Sequence, residues 1–185
     1  MLQQLQIESR KMCNPTRLMS SSSTMPLEMK YTLMLQKPSQ YLLPAVQNIQ
    51  NTVTAAYLQG QIKVSTAIDT TLLGPSFPPS NGAFSNAANS FITLIITFLG
   101  NNGALLRVNI HPYAYIGDPA NIKLEYALFT SPGVVVQDGN GYPNIFNAIL
   151  DTHYSVLEKA GAPNTAIVVS KSGWPSEGSD ATNMF

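Results

Sequence analysis

Apolar side chains recur at three- and four-residue steps in three stretches of the chain, a spacing typical of helices that bury one face. The first stretch follows Ser39, which can cap a helix, and ends before Gly60. The second stops near Gly100 and Gly103, and the third begins by Pro143. The positions expected to face the core are Leu42, Leu43, Val46, Ile49, Val53 and Tyr57, then Phe84, Ala88, Phe91, Ile95 and Phe98, then Phe146, Ile149, Leu150, His153 and Leu157.

Between these helices lie short, almost continuously apolar runs that are typical of strands buried on both faces. They are QIKVSTAID at 61–69, ALLRVNIHPYAY at 104–115 and AIVVSKSGW at 166–174. Strands that alternate with helices indicate βαβ units and a parallel sheet, so the predicted fold class is α/β. The run GVVVQDG at 133–139 interrupts the alternation and predicts an extra strand in a long loop.

Composition limits the function classes. The chain has 185 residues, enough for one domain, with 11% charged residues and a formal net charge of zero, which argues against nucleic acid as a partner. No apolar run reaches the roughly 18–20 residues of a membrane span, so no membrane partner is expected. Cys13 is the single cysteine and excludes an internal disulfide framework.

The front of the chain differs from the rest. Six of the seven methionines and five of the ten Lys and Arg residues fall within residues 1–37. We expect residues 1–38 to be a poorly ordered N-terminal extension and residues 39–185 to form the domain. An organelle transit peptide is the alternative for this segment, and no secretory signal is visible, so the compartment stays open.

Polar side chains cluster where the predicted strands end. In parallel sheets and barrels the working residues lie at the carboxyl ends of the strands. That rule selects Ser65, Thr66 and Asp69, then residues 109–115, then residues 171–177. Hydroxyl, amide and aromatic groups suit a sugar, although ordinary loop polarity explains them equally well. No cluster with metal-ligand spacing occurs, and neither a metal nor another cofactor is expected.

The same strand ends carry a resemblance to a known family. The segments VSTAID, SFPPSNGAF, HPYAYIGDPANIKLEYALFTSPGVVVQDG, EKAGAPN and VVSKSGWPSEG together resemble plant endo-1,3-β-glucanases of glycoside hydrolase family 17, from about Tyr41 to Gly178. The resemblance implies a partial (β/α)8 TIM barrel, roughly its middle-to-late βα units, and retaining cleavage of 1,3-β-glucan. Open edges of a partial barrel would favour self-association.

The resemblance also implies an altered catalytic centre. In VVSKSGWPS, Lys171 stands where the family has its nucleophilic glutamate. The family's acid, in a Gly-Asn-Glu motif, has no counterpart before the helix that contains YLLPAVQNIQ, and an ungapped comparison places Lys37 at its position. The nearest carboxylate to Lys171 is Glu177, which as a loop residue is more often just solvated.

Further residues are assigned to substrate contact. Asn109, His111 and Tyr113 match a family segment at the sugar cleft, with His111 in place of a tyrosine. The other expected contacts are Ser65, Tyr115 and Trp174, the last with rim packing as its alternative. His153 is interpreted as a core histidine.

Three hypotheses follow for the whole chain. It is a 1,3-β-glucan hydrolase by descent, impaired or inactive as written; or a pseudoenzyme that binds 1,3-β-glucan without cutting it; or a fragment without function.

Overall fold

A computed structural model describes the backbone of residues 23–28, 36–115 and 120–174, and the side chains of residues 41–113 and 120–174. Helices alternate with the strands of a parallel sheet whose order is β1-β2-β3-β6, which confirms the α/β prediction. The elements are β1 (Ser23–Glu28), α1 (Gln36–Ala55), β2 (Ile62–Asp69), α2 (Asn86–Asn101), β3 (Leu106–Asn109), α3 (Leu124–Leu128), β4 (Val136–Asp138), β5 (Asn140–Tyr142), α4 (Ile145–Lys159) and β6 (Ile167–Lys171).

The two faces of the sheet differ in chemistry because successive side chains of a strand point to opposite sides. Ile68 of β2 and Val108 of β3 are register partners, and both belong to the buried core together with residues of α1, α2 and α4. The opposite face, here called the inner face, carries the intervening positions. On the described strands it includes Ser65, Asp69, Arg107, Asn109 and Lys171.

Helix α1 corrects two predicted boundaries. It begins at Gln36, so Ser39 lies inside the helix rather than capping it. It ends at Ala55, because Tyr57 adopts a left-handed backbone conformation with φ of 58° and Leu58 N–H donates to the Val53 carbonyl at 3.0 Å. This end is a Schellman motif, which closes the helix before Gly60 is reached. Tyr57 is consequently 87% exposed and not a core residue, contrary to the prediction.

The other two long helices start at side-chain caps. The Ser85 hydroxyl accepts from Ala88 N–H at 3.2 Å, and the Asn144 side-chain oxygen accepts from Asn147 N–H at 2.9 Å. Each cap satisfies an N–H group that has no partner within the helix. In α2 the buried side chains are Ala88, Ile92, Ile95, Ile96 and Leu99, whereas the predicted core residues Phe91 and Phe98 are only partly buried.

The extra strand predicted at 133–139 is present as β4. It pairs antiparallel with β5, and Gly139 between them has a φ of 66°. Three further elements were not predicted: strand β5, the short helix α3, and strand β1, which lies in the segment expected to be an extension. Within the described sheet β1 and β6 are the outer strands, and self-association through such edges stays a prediction.

The long loop after β2, residues 70–85, is held against the outside of α4. Thr152 of α4 donates to the Ser76 carbonyl at 3.2 Å, and Lys159 donates to the carbonyls of Ser80 and Gly82 at 3.0 and 2.7 Å. The Asp138 carboxylate accepts from both the backbone N–H and the hydroxyl of Ser80. We call residues 70–85 the docked loop.

We expect the substitution Gly82→Ala to lower the free energy of unfolding by about 1–3 kcal/mol, the usual cost of overpacking. A Cβ at this position would lie 2.7 Å from the Thr152 carbonyl oxygen, so the docked loop and α4 would have to separate. Gly60→Ala is the matched control, since a Cβ there meets nothing within 4 Å. Urea unfolding measures both, and an equal effect of the two substitutions would contradict the close contact.

Candidate functional site

Three strands end at one level of the sheet. Asp69, Asn109 and Lys171 are the last residues of β2, β3 and β6, and Asn109 is the register partner of both others. Partners in neighbouring parallel strands share a face and lie about 5 Å apart. The sequence-based expectation that these strand ends meet is therefore confirmed, and the three side chains form a row on the inner face, which we call the carboxyl-edge row.

A local irregularity brings Lys171 into that row. The pairing of β3 with β6 shifts between Val108 and Asn109, so Ser170 is an extra residue in β6. Ile110 N–H then donates to the Lys171 carbonyl at 2.9 Å, and the Ser170 hydroxyl donates to the side-chain oxygen of Asn109 at 2.8 Å. Bulges of this kind re-aim side chains near functional sites. The side chain of Lys171 is exposed.

An aromatic pair stands beside the carboxyl-edge row. The rings of Tyr113 and Trp174 meet edge to face, with centroids 5.0 Å apart and planes at 86°. Each residue follows a member of the row within four positions, Tyr113 after Asn109 and Trp174 after Lys171. The exposed His111 lies between Asn109 and Tyr113 in the chain. The predicted site residues Asn109, His111, Tyr113, Lys171 and Trp174 are thus brought to one end of the sheet.

Other predicted site residues lie elsewhere. Ser65 is fully buried, four residues before the end of β2, and its hydroxyl donates to the Leu105 carbonyl at 2.7 Å. Tyr115 closes a 3-10 turn that starts at Pro112, and its side chain is outside the described residues. Lys37 lies in the first turn of α1 rather than at the end of a strand. Glu177 falls outside the described residues, and all these assignments stay predictions.

Asp69 has a second role at the edge. Its carboxylate accepts from the backbone N–H of Thr71 at 2.9 Å and from the Thr71 hydroxyl, which starts the docked loop with a capped turn. Its negative charge also acts on His153 of α4.

His153 is a core residue, as the sequence predicted, and it is 1% exposed. Its Nδ1 donates to the Ile149 carbonyl at 2.8 Å, because a carbonyl can only accept. Nε2 has no hydrogen-bond partner among the described residues. Burial lowers the pKa of His153, and the Ile149 hydrogen bond and the Asp69 charge oppose that shift without cancelling it.

Sequence reasoning missed Arg107 and Ser170. Arg107 is the one charged residue in the run LLRVNI, and its place two positions before Asn109 puts it on the inner face. The sequence signal for Arg107 is its position between Leu106 and Val108, since a charged residue between two buried strand residues lies on the opposite face. Among the described residues no group of three or more His, Cys, Asp or Glu side chains could hold a metal ion, and no helix is long and apolar enough for a bilayer crossing.

Comparison with known sequences gives a family match. The family model for Glycosyl hydrolases family 17 matches residues 27–185. A glucan endo-1,3-beta-glucosidase of Vitis vinifera is 57% identical over 148 residues, which cover 79% of this chain and 43% of that protein. One from Pisum sativum is 52% identical over 147 residues, covering 78% of this chain and 40% of the relative. The chain thus spans less than half the length of these relatives.

Solved structures agree. A beta-1,3-glucanase and allergen of Cryptomeria japonica pollen superposes with a TM-score of 0.74 at 42% identity, over 80% of this chain and 48% of that one. One of two plant beta-glucan endohydrolases with distinct substrate specificities gives a TM-score of 0.78 at 36% identity, over 84% and 50% of the two chains. The parallel sheet and its helices are therefore part of a TIM barrel, as predicted.

We expect stability to fall as the pH drops from about 7.5 to 5.5, with a contribution from His153 that disappears in His153→Gln. Because the folded-state pKa is depressed, the unfolded chain takes up the proton first. The contribution is fully present above the unfolded pKa of about 6.5 and is lost below it, by at most about 1.4 kcal/mol per pH unit.

Urea unfolding at several pH values measures this contribution. The exposed His111 supplies the control variant His111→Gln, which removes an imidazole outside the core and leaves His153 in place. An equal pH dependence in the parent chain and in His153→Gln would show that the histidine takes up its proton without cost in the folded state.

Proposed function

This chain belongs to Glycosyl hydrolases family 17 and is β-1,3-glucanase-like, and from that premise we propose that it recognises 1,3-β-glucan without hydrolysing it. The observation that carries the proposal is the lysine at position 171. It ends β6 in the carboxyl-edge row, at the position where the family resemblance places the catalytic nucleophile.

The charge of Lys171 is the wrong one for the reaction. Retaining glycosidases use a carboxylate nucleophile and a second carboxyl group about 5–5.5 Å away that protonates the leaving oxygen. The transition state carries positive charge on the sugar ring, which a carboxylate stabilises and an ammonium repels. A protonated lysine also has no lone pair with which to attack the anomeric carbon.

The other charged member of the row does not replace the missing carboxylate. Asp69 is the one carboxylate among the described residues of the row, and its oxygens accept hydrogen bonds from Thr71. On the other side of β2, Glu28 ends β1 as the register partner of Ala67. Neither Asp69 nor Glu28 stands at the end of β6, where the family resemblance places the nucleophile. The Gly-Asn-Glu motif of the family acid is also missing from the sequence before α1.

The groups that suit sugar recognition are nevertheless present. Sugar rings offer hydroxyl groups for hydrogen bonds and apolar faces for aromatic side chains. At the edge of the sheet Asn109 supplies an amide held by Ser170, and the pair of Tyr113 and Trp174 supplies aromatic surface. Binding without cleavage therefore accounts both for the amide and aromatic groups at this edge and for the lysine at position 171.

The first test is hydrolysis. We expect the purified chain to release no reducing ends from laminarin above a mock preparation from cells that lack the gene. Lys171→Glu should stay inactive as well, because it restores one of the two carboxylates that the reaction requires. If a laminarin-hydrolysing activity co-purifies with the parent chain and is absent from the mock preparation, the chain is a hydrolase and the proposal is wrong.

The second test is binding. Titration calorimetry with laminarin oligosaccharides at millimolar concentration should give heat, and Trp174→Ala should weaken binding about three- to tenfold through loss of an aromatic contact. Tyr57→Ala is the matched control, since Tyr57 is an 87% exposed aromatic just after α1, where the chain enters the starting end of β2. No heat at all would favour a chain without function, and equal loss in both variants would exclude Trp174 as a sugar contact.

A further inference from the structure

The inner face of the sheet carries two cations on either side of Asn109. Arg107 precedes Asn109 by two residues on β3, and Lys171 is the register partner of Asn109 on β6. Strand geometry places the backbone of Arg107 about 7 Å along the sheet from Asn109 and that of Lys171 about 5 Å across. Both side chains are long enough to reach a single group bound over the Asn109 amide.

Arg107 has an unsatisfied donor. Its Nε is buried and has no hydrogen-bond partner among the described residues. A buried N–H group without an acceptor costs about 1–3 kcal/mol, so a ligand oxygen that accepts from it would be favoured. The planar guanidinium group matches a carboxylate with two parallel hydrogen bonds, which makes a carboxylate the preferred acceptor.

The remaining charges of the inner face leave it cationic. Asp69 ends β2, and its carboxylate accepts hydrogen bonds from Thr71, which orient it toward the start of the docked loop but leave its negative charge in place. At the opposite end of β2, Lys63 donates to the Asn102 carbonyl at 3.1 Å. Glu28, the last residue of β1, is the register partner of Ala67 on the same side of the sheet. Counted by register over the described strands, Lys63, Arg107 and Lys171 stand against Asp69 and Glu28, an excess of one cation.

We propose that the ligand of this edge is an acidic oligosaccharide, a 1,3-β-glucan in which some sugars carry a carboxylate at C6. The inference rests on the proposed glucan recognition and adds its specificity. The aromatic pair of Tyr113 and Trp174 contacts a sugar ring, while Arg107 and Lys171 bind the carboxylate of that sugar or its neighbour. The ammonium that prevents hydrolysis thereby becomes a specificity-determining group.

The test compares unmodified laminarin with laminarin oxidised to the carboxylate at C6, both titrated into the full chain by calorimetry. We expect the oxidised polymer to bind about fivefold more tightly at low salt, the factor for two unit charges about 4 Å apart in a water-like surrounding. The advantage should shrink in 0.5 M salt, where the screening length falls to about 4 Å.

Three variants locate the effect. Lys171→Gln and Arg107→Met should each remove most of the preference for the oxidised polymer over unmodified laminarin. Lys123→Gln removes one positive charge from an exposed position before α3 and should leave the preference unchanged. Circular dichroism shows whether Arg107→Met folds. If it does not fold, Lys171→Gln still tests the inference, because the side chain of Lys171 is exposed.

The outcomes separate this inference from the proposed function. Equal affinity for both polymers overturns the inference and leaves glucan recognition intact. An equal loss of preference in Lys123→Gln, or equally tight binding of polygalacturonate, which has the same charge on a different backbone, reduces the effect to general charge attraction and also overturns it. Failure to bind either laminarin removes the proposed function together with the inference.

Discussion

The hydrogen-bonded register of β2, β3 and β6 is the constraint on which the candidate site depends. It brings the last residues of three strands, which lie far apart in sequence, into one row on one face. The helices fix this arrangement from the other side, because Ile68 and Val108 are buried against them and a slip of one residue would turn those apolar side chains away from the core. The site is therefore as stable as the core beneath it.

The exchange of charge at position 171 leaves that framework intact. A lysine at the end of β6 keeps its backbone hydrogen bond to Ile110, and its side chain reaches solvent, so the fold does not oppose it. What changes is the potential at the carboxyl edge, where reaction chemistry calls for negative charge. Under the proposed function, tertiary structure and catalytic competence are separable, since the same strands can present either sign of charge.

Much of this architecture could be predicted from the sequence. The three long helices, the strands that follow them and the extra strand β4 follow from spacing and from residues such as Gly103 and Pro143 that typically border helices. The meeting of Asn109 and Lys171 also follows from a general rule on parallel sheets. The register shift at Ser170 does not, because an additional residue in a strand leaves no mark in an apolar run.

The errors of prediction have local causes. Gly60 was a plausible end for α1, but Tyr57 closes the helix first in a conformation that non-glycine residues seldom adopt. The sequence alone offers the Ser65 hydroxyl as a substrate contact. In the structure Ser65 is fully buried and its hydroxyl donates to the Leu105 carbonyl. Arg107 is hard to recognise from the sequence because it is a single charge in an apolar run, whose average character is that of a fully buried strand.

The docked loop has a consequence for how the chain acquires its structure. Its hydrogen bonds with α4 join residues 76 or more positions apart, as in the one from Thr152 to Ser76. Until α4 has been synthesised, the loop lacks these contacts and has only those with earlier elements, such as the bonds from Ser80 to Asp138 of β4. Because such distant pairings are made late, assembly of this region waits for the chain to reach Lys159.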